Sequence, residues 1–289
     1  MWMAFAVGSA FFAGVTAVLA KLGIRDVDAN LATALRAGVV LVLAWGLVFL
    51  VGSQTTLGTI DGHTWVFLIL SGLATGASWL CYFRALQLGD VTKVVPVDKT
   101  STVVTMVLAI TFLGERVDAF VAGGMVAIGL GTYLMIELRA PAARAERGRG
   151  SWSWLAYAGG SALFAALTAI LGKVGIEGVE STLGTAIRTG VVLLAAWGVV
   201  AVTGSQRGIR TIDARSWVFL VVSGVTTGLS WLCYYRALQE GPASVVVPID
   251  KLSILVSVAA GVVVFRERVS MRGWVGLSLV VAGTLALLA

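Results

Sequence analysis

Apolar runs of about twenty residues, each broken by a short polar stretch, recur along the chain, and that is the length a helix needs to cross a hydrocarbon core. They fall near residues 2–20, 31–51, 64–86, 91–113 and 119–137, and again near 154–172, 183–203, 216–238, 243–265 and 271–289. The runs are continuously apolar, whereas barrel strands alternate over about ten residues, so the pattern predicts helices. The first run has no basic segment before it and further spans behind it, and is read as a membrane span rather than a cleaved signal peptide.

The second set of runs copies the first. Shifting the chain by about 152 residues aligns the halves without a gap: GSAFFAGVTAVLAKLGI at Gly8 returns as GSALFAALTAILGKVGI at Gly160, and VVPVDKTS at Val94 as VVPIDKLS at Val246. The fold class expected is an all-α integral membrane protein of ten transmembrane helices, arranged as two five-helix repeats. The first repeat covers residues 1–137, a basic linker 138–152, and the second repeat 153–289. Five spans per repeat is an odd number, so the second copy enters the membrane upside down and the topology is inverted. The loop charges agree with that. About 14 loop lysines and arginines fall on the linker side against about 3 (Arg116, Lys173, Arg236) on the other, which places the linker in the cytoplasm and both termini outside. One pair of equivalent loops shows the bias locally: SQTTLGTIDGHTW has no Lys or Arg, and SQRGIRTIDARSW has three.

Composition narrows the class further. With 58% hydrophobic and 12% charged residues and a mean hydropathy of +0.94, the chain is neither a soluble domain nor a disordered one. The net charge of +6 is scattered between apolar runs rather than gathered on a basic face, so it is read as a topology signal and nucleic acid is not expected as a partner. Cys81 and Cys233 lie in apolar runs without metal-ligand spacing and read as packing residues; His63 reads as a solvated loop residue. No metal and no cofactor is expected. No Walker loop, GxSxG or HExxH occurs, and the chain is not read as an enzyme.

The candidate chemistry lies in charges inside the spans, each of which costs about 2.5–3.5 kcal/mol to insert and therefore faces a polar path or a partner. These are Arg36, Asp98 and Lys99 in the first repeat and Arg188, Asp250 and Lys251 in the second, with Lys21 and Lys173 at the ends of the first and sixth spans. Arg36 with Asp98 and Arg188 with Asp250 are expected to form pairs, either as gates or as closed packing contacts. That leaves Lys99 and Lys251 as surplus positive charge suited to an anion. Pro96 and Pro248, two residues before each acid, remove a backbone donor and either kink the helix or open a turn. Trp79 and Tyr82, with Trp231 and Tyr234, stand at helical spacing as stacking residues, interface anchors or core. GLATG at Gly72 and GVTTG at Gly224 give the GxxxG spacing of close helix contacts.

Taken together, these residues resemble the EamA-type transporters of the drug/metabolite transporter superfamily, in two copies over nearly the whole chain. The resemblance rests on Lys21 and Lys173 ending the first span of each repeat and on Arg36 and Arg188 within the second. It rests also on YFRAL and YYRAL ending the third and on GER and RER before the fifth. It implies ten helices around a substrate cavity and alternating access. The PVDK and PIDK turns are similar to those of single-repeat members. Two departures stand out: ten-span relatives usually keep their termini inside, whereas the charges here favour outside, and the first span lacks the membrane Glu of proton-coupled four-span exporters, whose coupling mechanism is not carried over.

The function expected is secondary transport of small metabolites, anionic or amino-acid-like, in a bacterial inner membrane. The partners are a small-molecule substrate, the lipid bilayer and a coupling ion of unspecified kind. A flippase for a lipid-linked phosphate and a non-transporting scaffold or receptor are the alternatives. A scaffold would usually append a soluble domain and would have no use for charge clusters duplicated by inversion.

Overall fold

The computed structural model describes residues 1–23, 27–88, 97–135, 153–263 and 270–288, and among these all regular structure is helical. In chain order the helices are α1 (Trp2–Gly23), α2 (Ala29–Val51), α3 (Gly62–Leu88), α4 (Ser101–Leu113) and α5 (Ala119–Met135). The second half follows with α6 (Ser153–Glu177), α7 (Ser181–Thr203), α8 (Ala214–Glu240), α9 (Ala243–Lys251), α10 (Ser253–Val263) and α11 (Met271–Ala286). Among the described residues, seven helical stretches have the length and apolar composition to cross a membrane, one of them running through α9 into α10. Helices α5 and α11 are shorter apolar helices.

The duplication is visible in how the helices begin and end. The Asp28 carboxylate accepts from the backbone N–H groups of Asn30 and Leu31 at 3.0 and 3.1 Å and starts α2. Its copy Glu180 does the same for Thr182 and Leu183 at 2.9 and 3.0 Å and starts α7. Both helices stop at a glycine in the left-handed region, Gly52 (φ 82°) and Gly204 (φ 71°), a conformation open to glycine without the Cβ penalty. One 3₁₀ turn follows each, Ser53–Thr59 and Ser205–Thr211, where the sequence reading had only loops. Asp61 then caps α3 through the Thr64 N–H, and Asp213 caps α8 through that of Ser216.

The fourth span of each repeat is expected as one helix; in both copies a single turn residue divides it at the same register, and in the second copy residues 243–260 still make one stretch of membrane length. Residues 97–99 are helical, Thr100 is a turn, and α4 starts at Ser101. Likewise α9 carries Pro248 inside it, ends at Lys251, and gives way at Leu252 to α10. At both breaks the backbone tightens to an i→i−3 bond, from Thr100 N–H to Val97 O (3.1 Å) and from Leu252 N–H to Ile249 O (2.9 Å). Pro248 lies inside α9, and the tightening falls beyond it, immediately after Asp250, as its copy falls immediately after Asp98.

The chain divides into two compact units, and each takes helices from both repeats. In the first unit (Met1–Gly76 and Thr168–Glu267), α1 packs along α8, α9 and α10, and α2 packs on α7 and α8. Leu31, Val40, Val48, Leu183, Val192, Leu220 and Leu238 fill its interior. In the second unit (Ala77–Leu167 and Arg268–Ala289), α5 packs along α11 and against α4. A Cβ built at Gly131 would lie 2.6 Å from the Gly276 carbonyl oxygen, and one at Gly124 would lie 2.7 Å from that of Gly283. Gly124 facing Gly283 while Gly131 faces Gly276 means that α5 and α11, the last helices of the two repeats, run antiparallel.

The outside of the fold is apolar, and hydroxyls are buried among the apolar core. Val42 and its copy Leu194 are both 75% exposed, whereas Ser9, Ser71, Ser161, Thr185, Thr189 and Ser223 are buried. Apolar side chains face outward at equivalent places in both repeats, as lipid contact requires, and hydroxyls line the interior.

Candidate functional site

Two hydroxyl–carboxylate clusters, one in each unit, are the first feature of the interior. In the first unit, Ser9 of α1 donates to the Asp250 carboxylate at 2.5 Å, and Ser230 of α8 donates to the Ser9 carbonyl at 3.1 Å, with the two serine hydroxyls 3.3 Å apart. The second unit repeats this: Ser161 of α6 donates to Asp98 at 2.7 Å, and Ser78 of α3 donates to the Ser161 carbonyl at 3.1 Å, again with hydroxyls 3.3 Å apart. Each carboxylate is therefore held, just before a helix break, by a serine from the opposite repeat.

Arg188 provides the second feature. It is 2% exposed, on α7 inside a membrane-spanning stretch. Its Nε donates to the Ser71 hydroxyl at 2.8 Å and one terminal nitrogen to that of Thr75 at 2.6 Å, both on α3. The Tyr235 ring lies 4.6 Å and the Trp231 ring 5.4 Å from the guanidinium carbon. The other terminal nitrogen, NH1, is buried without a hydrogen-bond partner. Glycine makes this packing possible: a Cβ at Gly72 would meet Val191 at 2.7 Å and the Arg188 carbonyl at 3.1 Å, so α3 and α7 touch here. Arg36, the copy of Arg188, is half-buried, donates to the Thr227 hydroxyl at 2.6 Å, and has its Nε buried without a partner.

These positions change the expected pairing. Arg188 and Asp250 lie in one unit but bind different groups, Arg188 the α3 hydroxyls and Asp250 Ser9; among the described residues no ion pair joins them. Arg36 takes Thr227, and Asp98 takes Ser161. The physical reason is reach: two hydroxyls one turn apart on the touching helix α3 take two of the three guanidinium nitrogens of Arg188, and the Asp250 carboxylate takes its hydrogen bond from Ser9.

The other candidates fall as follows. Lys251 Nζ lies 3.9 Å from the neighbouring Asp250 carboxylate, with 44% of its side chain exposed. Lys99 is exposed. Lys173 donates to the carbonyls of Leu238 and Gly241 at 2.9 and 2.6 Å, closing the C-terminus of α8. The Lys21 side chain lies outside the described residues, as do Pro96 and the linker. Trp231 lies under Arg188, while Trp79 is half-buried on α3. Tyr82 packs with Trp154 and Val97 around Ala85 and Ala158, and Tyr234 meets Tyr235 edge-on at 5.2 Å between centroids. Cys81 and Cys233 are free thiols packed over Gly160 and Gly8.

Sequence reasoning passed over Ser9, Ser161, Ser71, Thr75, Thr227 and Tyr235. A signal was present: Ser9 and Thr16, Ser71 and Ser78, and their copies Ser161 with Thr168 and Ser223 with Ser230 each stand seven residues apart, which puts two hydroxyls on one helix face in otherwise apolar runs.

A helical protein with exposed apolar sides, and with hydroxyls and an arginine buried among its apolar core, is a multi-pass membrane protein. The chain belongs to the EamA-like transporter family, whose model matches residues 1–137 and again 152–289. It is 44% identical over 137 residues to an uncharacterised transporter encoded in the cobO 3′ region of Sinorhizobium sp. That match covers 47% of this chain and 97% of the relative, so one repeat here corresponds to nearly the whole of that protein. An uncharacterised protein of Methanocaldococcus jannaschii is 25% identical over 100 residues, covering 32% of this chain and 73% of its own. A protein of known crystal structure shares the fold with a TM-score of 0.71 at 18% identity, with 96% of each chain covered.

Proposed function

We propose that this protein is a secondary transporter that moves small anionic or amino-acid-like metabolites across a bacterial inner membrane, by alternating access between two inverted repeats. The observation that carries the reading is the duplicated hydroxyl–carboxylate cluster: the same serine, serine and aspartate recur in each unit, at a helix break in both. Paired sites that exchange solvent access need equivalent construction, and here each carboxylate sits beside the same one-residue helical tightening. The antiparallel pairing of α5 and α11 supports inversion, and the loop charge bias supports a cytoplasmic linker with both termini outside.

The direct experiment is counterflow in liposomes: purified protein is loaded with a mixed metabolite pool, and uptake of labelled metabolites against it is measured. Exchange above protein-free liposomes is expected, and Asp250→Asn and Asp98→Asn should each reduce it by at least about tenfold if breaking a charge-assisted hydrogen bond disables a gate. Full exchange in the double variant Asp98→Asn/Asp250→Asn would refute the assignment of gating to these clusters.

A further inference from the structure

Resting on the transporter reading, we infer that Arg188 is the anchor of a carboxylate site and that the transported solute carries one carboxylate which this guanidinium takes. The charge has no acid partner among the described residues. Asp250 accepts from Ser9 and has Lys251 Nζ at 3.9 Å, and Arg188 itself binds hydroxyls and ring faces. Its NH1 donors are buried and unmet, in a side chain that is 2% exposed. A buried cation with unmet donors is a costly arrangement, and a neutral side chain would hold α3 to α7 more cheaply if packing were the only task. An anion arriving at NH1 supplies both the missing acceptor and the missing charge.

The surroundings select the class of anion. Tyr235 and Trp231 lie against the guanidinium, and Ser71 and Thr75 hold two of its nitrogens, so NH1 is the nitrogen left for an acceptor. A monocarboxylate is planar and cancels a single positive charge. A phosphate dianion would leave net negative charge in a membrane interior, which is again expensive.

The two repeats differ at this place. A Cβ at Gly172 would come within 2.7 Å of the Tyr235 ring and 3.1 Å of the Ser71 hydroxyl, so only glycine leaves room for the tyrosine beside the serine that holds Arg188. At the aligned positions the first repeat carries Ala20 and Phe83 in place of Gly172 and Tyr235. Arg188 is thus the specialised copy, and it takes the role that the sequence had suggested for Lys99 and Lys251.

The test uses the full chain in nanodiscs and liposomes. Pyruvate, lactate, benzoate and glycine are compared with their neutral amides as stabilisers against heat and as counterflow substrates, with inorganic phosphate as a further arm. At least one of the carboxylates is expected to stabilise and exchange where its amide does not. Arg188→Gln should weaken that response at least about tenfold, the loss of one charge-assisted bond, and Arg36→Gln by less than about threefold. Should Arg188→Gln fail to fold, Arg188→Lys keeps the charge without the planar fork and should still weaken carboxylate binding several-fold. Equal responses to acid and amide, an Arg188→Lys protein that binds like wild type, or Arg188-dependent binding of phosphate in place of carboxylates would overturn the inference. Exchange of neutral or cationic solutes alone would overturn it and leave the transporter reading standing. Arg188-dependent carboxylate binding without any flux would do the reverse.

Discussion

Adding one methyl group at Gly131 should separate two helices that now touch through their backbones. A Cβ there would meet the Gly276 carbonyl oxygen at 2.6 Å and the Val280 nitrogen at 2.8 Å, and a Cβ at Gly276 would meet the Gly131 oxygen at 2.6 Å and the Met135 nitrogen at 2.7 Å. Carbon contacts settle at about 3.5–4.0 Å, so α5 and α11 must part locally by about 1 Å. Backbone atoms cannot swing aside as a side-chain tip can, and overpacking of this kind costs about 1–3 kcal/mol. Gly→Ala in a helix also brings a favourable propensity of up to about 1 kcal/mol, which would mask part of the loss. Gly123 controls for that: it lies on the same helix, is exposed, and would meet nothing within 4 Å. Gly131→Ala should therefore be less stable than Gly123→Ala by about 1–3 kcal/mol in unfolding titrations in mild detergent. The double variant Gly131→Ala/Gly276→Ala should lose less than the sum of the singles, because both open the same contact. Equal stability of Gly131→Ala and Gly123→Ala would refute the backbone contact and with it the antiparallel pairing of the two last helices.

Other outcomes follow from the helix ends and the loops. The cap hydrogen bonds from Thr64 and Ser216 hold the Asp61 and Asp213 carboxyls below the usual 3.8, so their capping contribution is fully present above that value and is lost as pH falls through the lower folded values. The difference in melting temperature between wild type and Asp61→Ala/Asp213→Ala should be constant above about pH 5 and vanish in strong acid; a difference that grows on acidification would contradict the sign. Thr55 and Arg207 are exposed copies of one position in the two 3₁₀ turns. With Cys81 and Cys233 replaced by Ser, an impermeant thiol reagent added to intact cells should label Thr55→Cys and spare Arg207→Cys, and the reverse pattern would place the termini inside.

The sequence alone determined what depends on local physics. Apolar runs of membrane length gave the helical class and the copy at an offset of about 152 residues gave the duplication, while the caps Asp28, Glu180, Gly52 and Gly204 emerged with the structure, although each acts within a few residues of itself. The sequence also marked Arg188 and Asp250 as unusual, since a charge in an apolar run is legible without any structure. Only the tertiary structure decided their partners. A side chain on a helix meets whatever the neighbouring helix presents at the crossing. That crossing is set by small residues such as Gly72 and Gly172, whose effect is to remove volume and which carry no charge or polarity of their own to read. Hence the sequence paired arginine with aspartate by charge, and the fold gave Arg188 to Ser71 and Thr75 and gave Asp250 to Ser9. The tightening beyond each aspartate belongs to the structure: a proline disturbs the turn before it, whereas α9 runs through Pro248 and tightens only at Leu252.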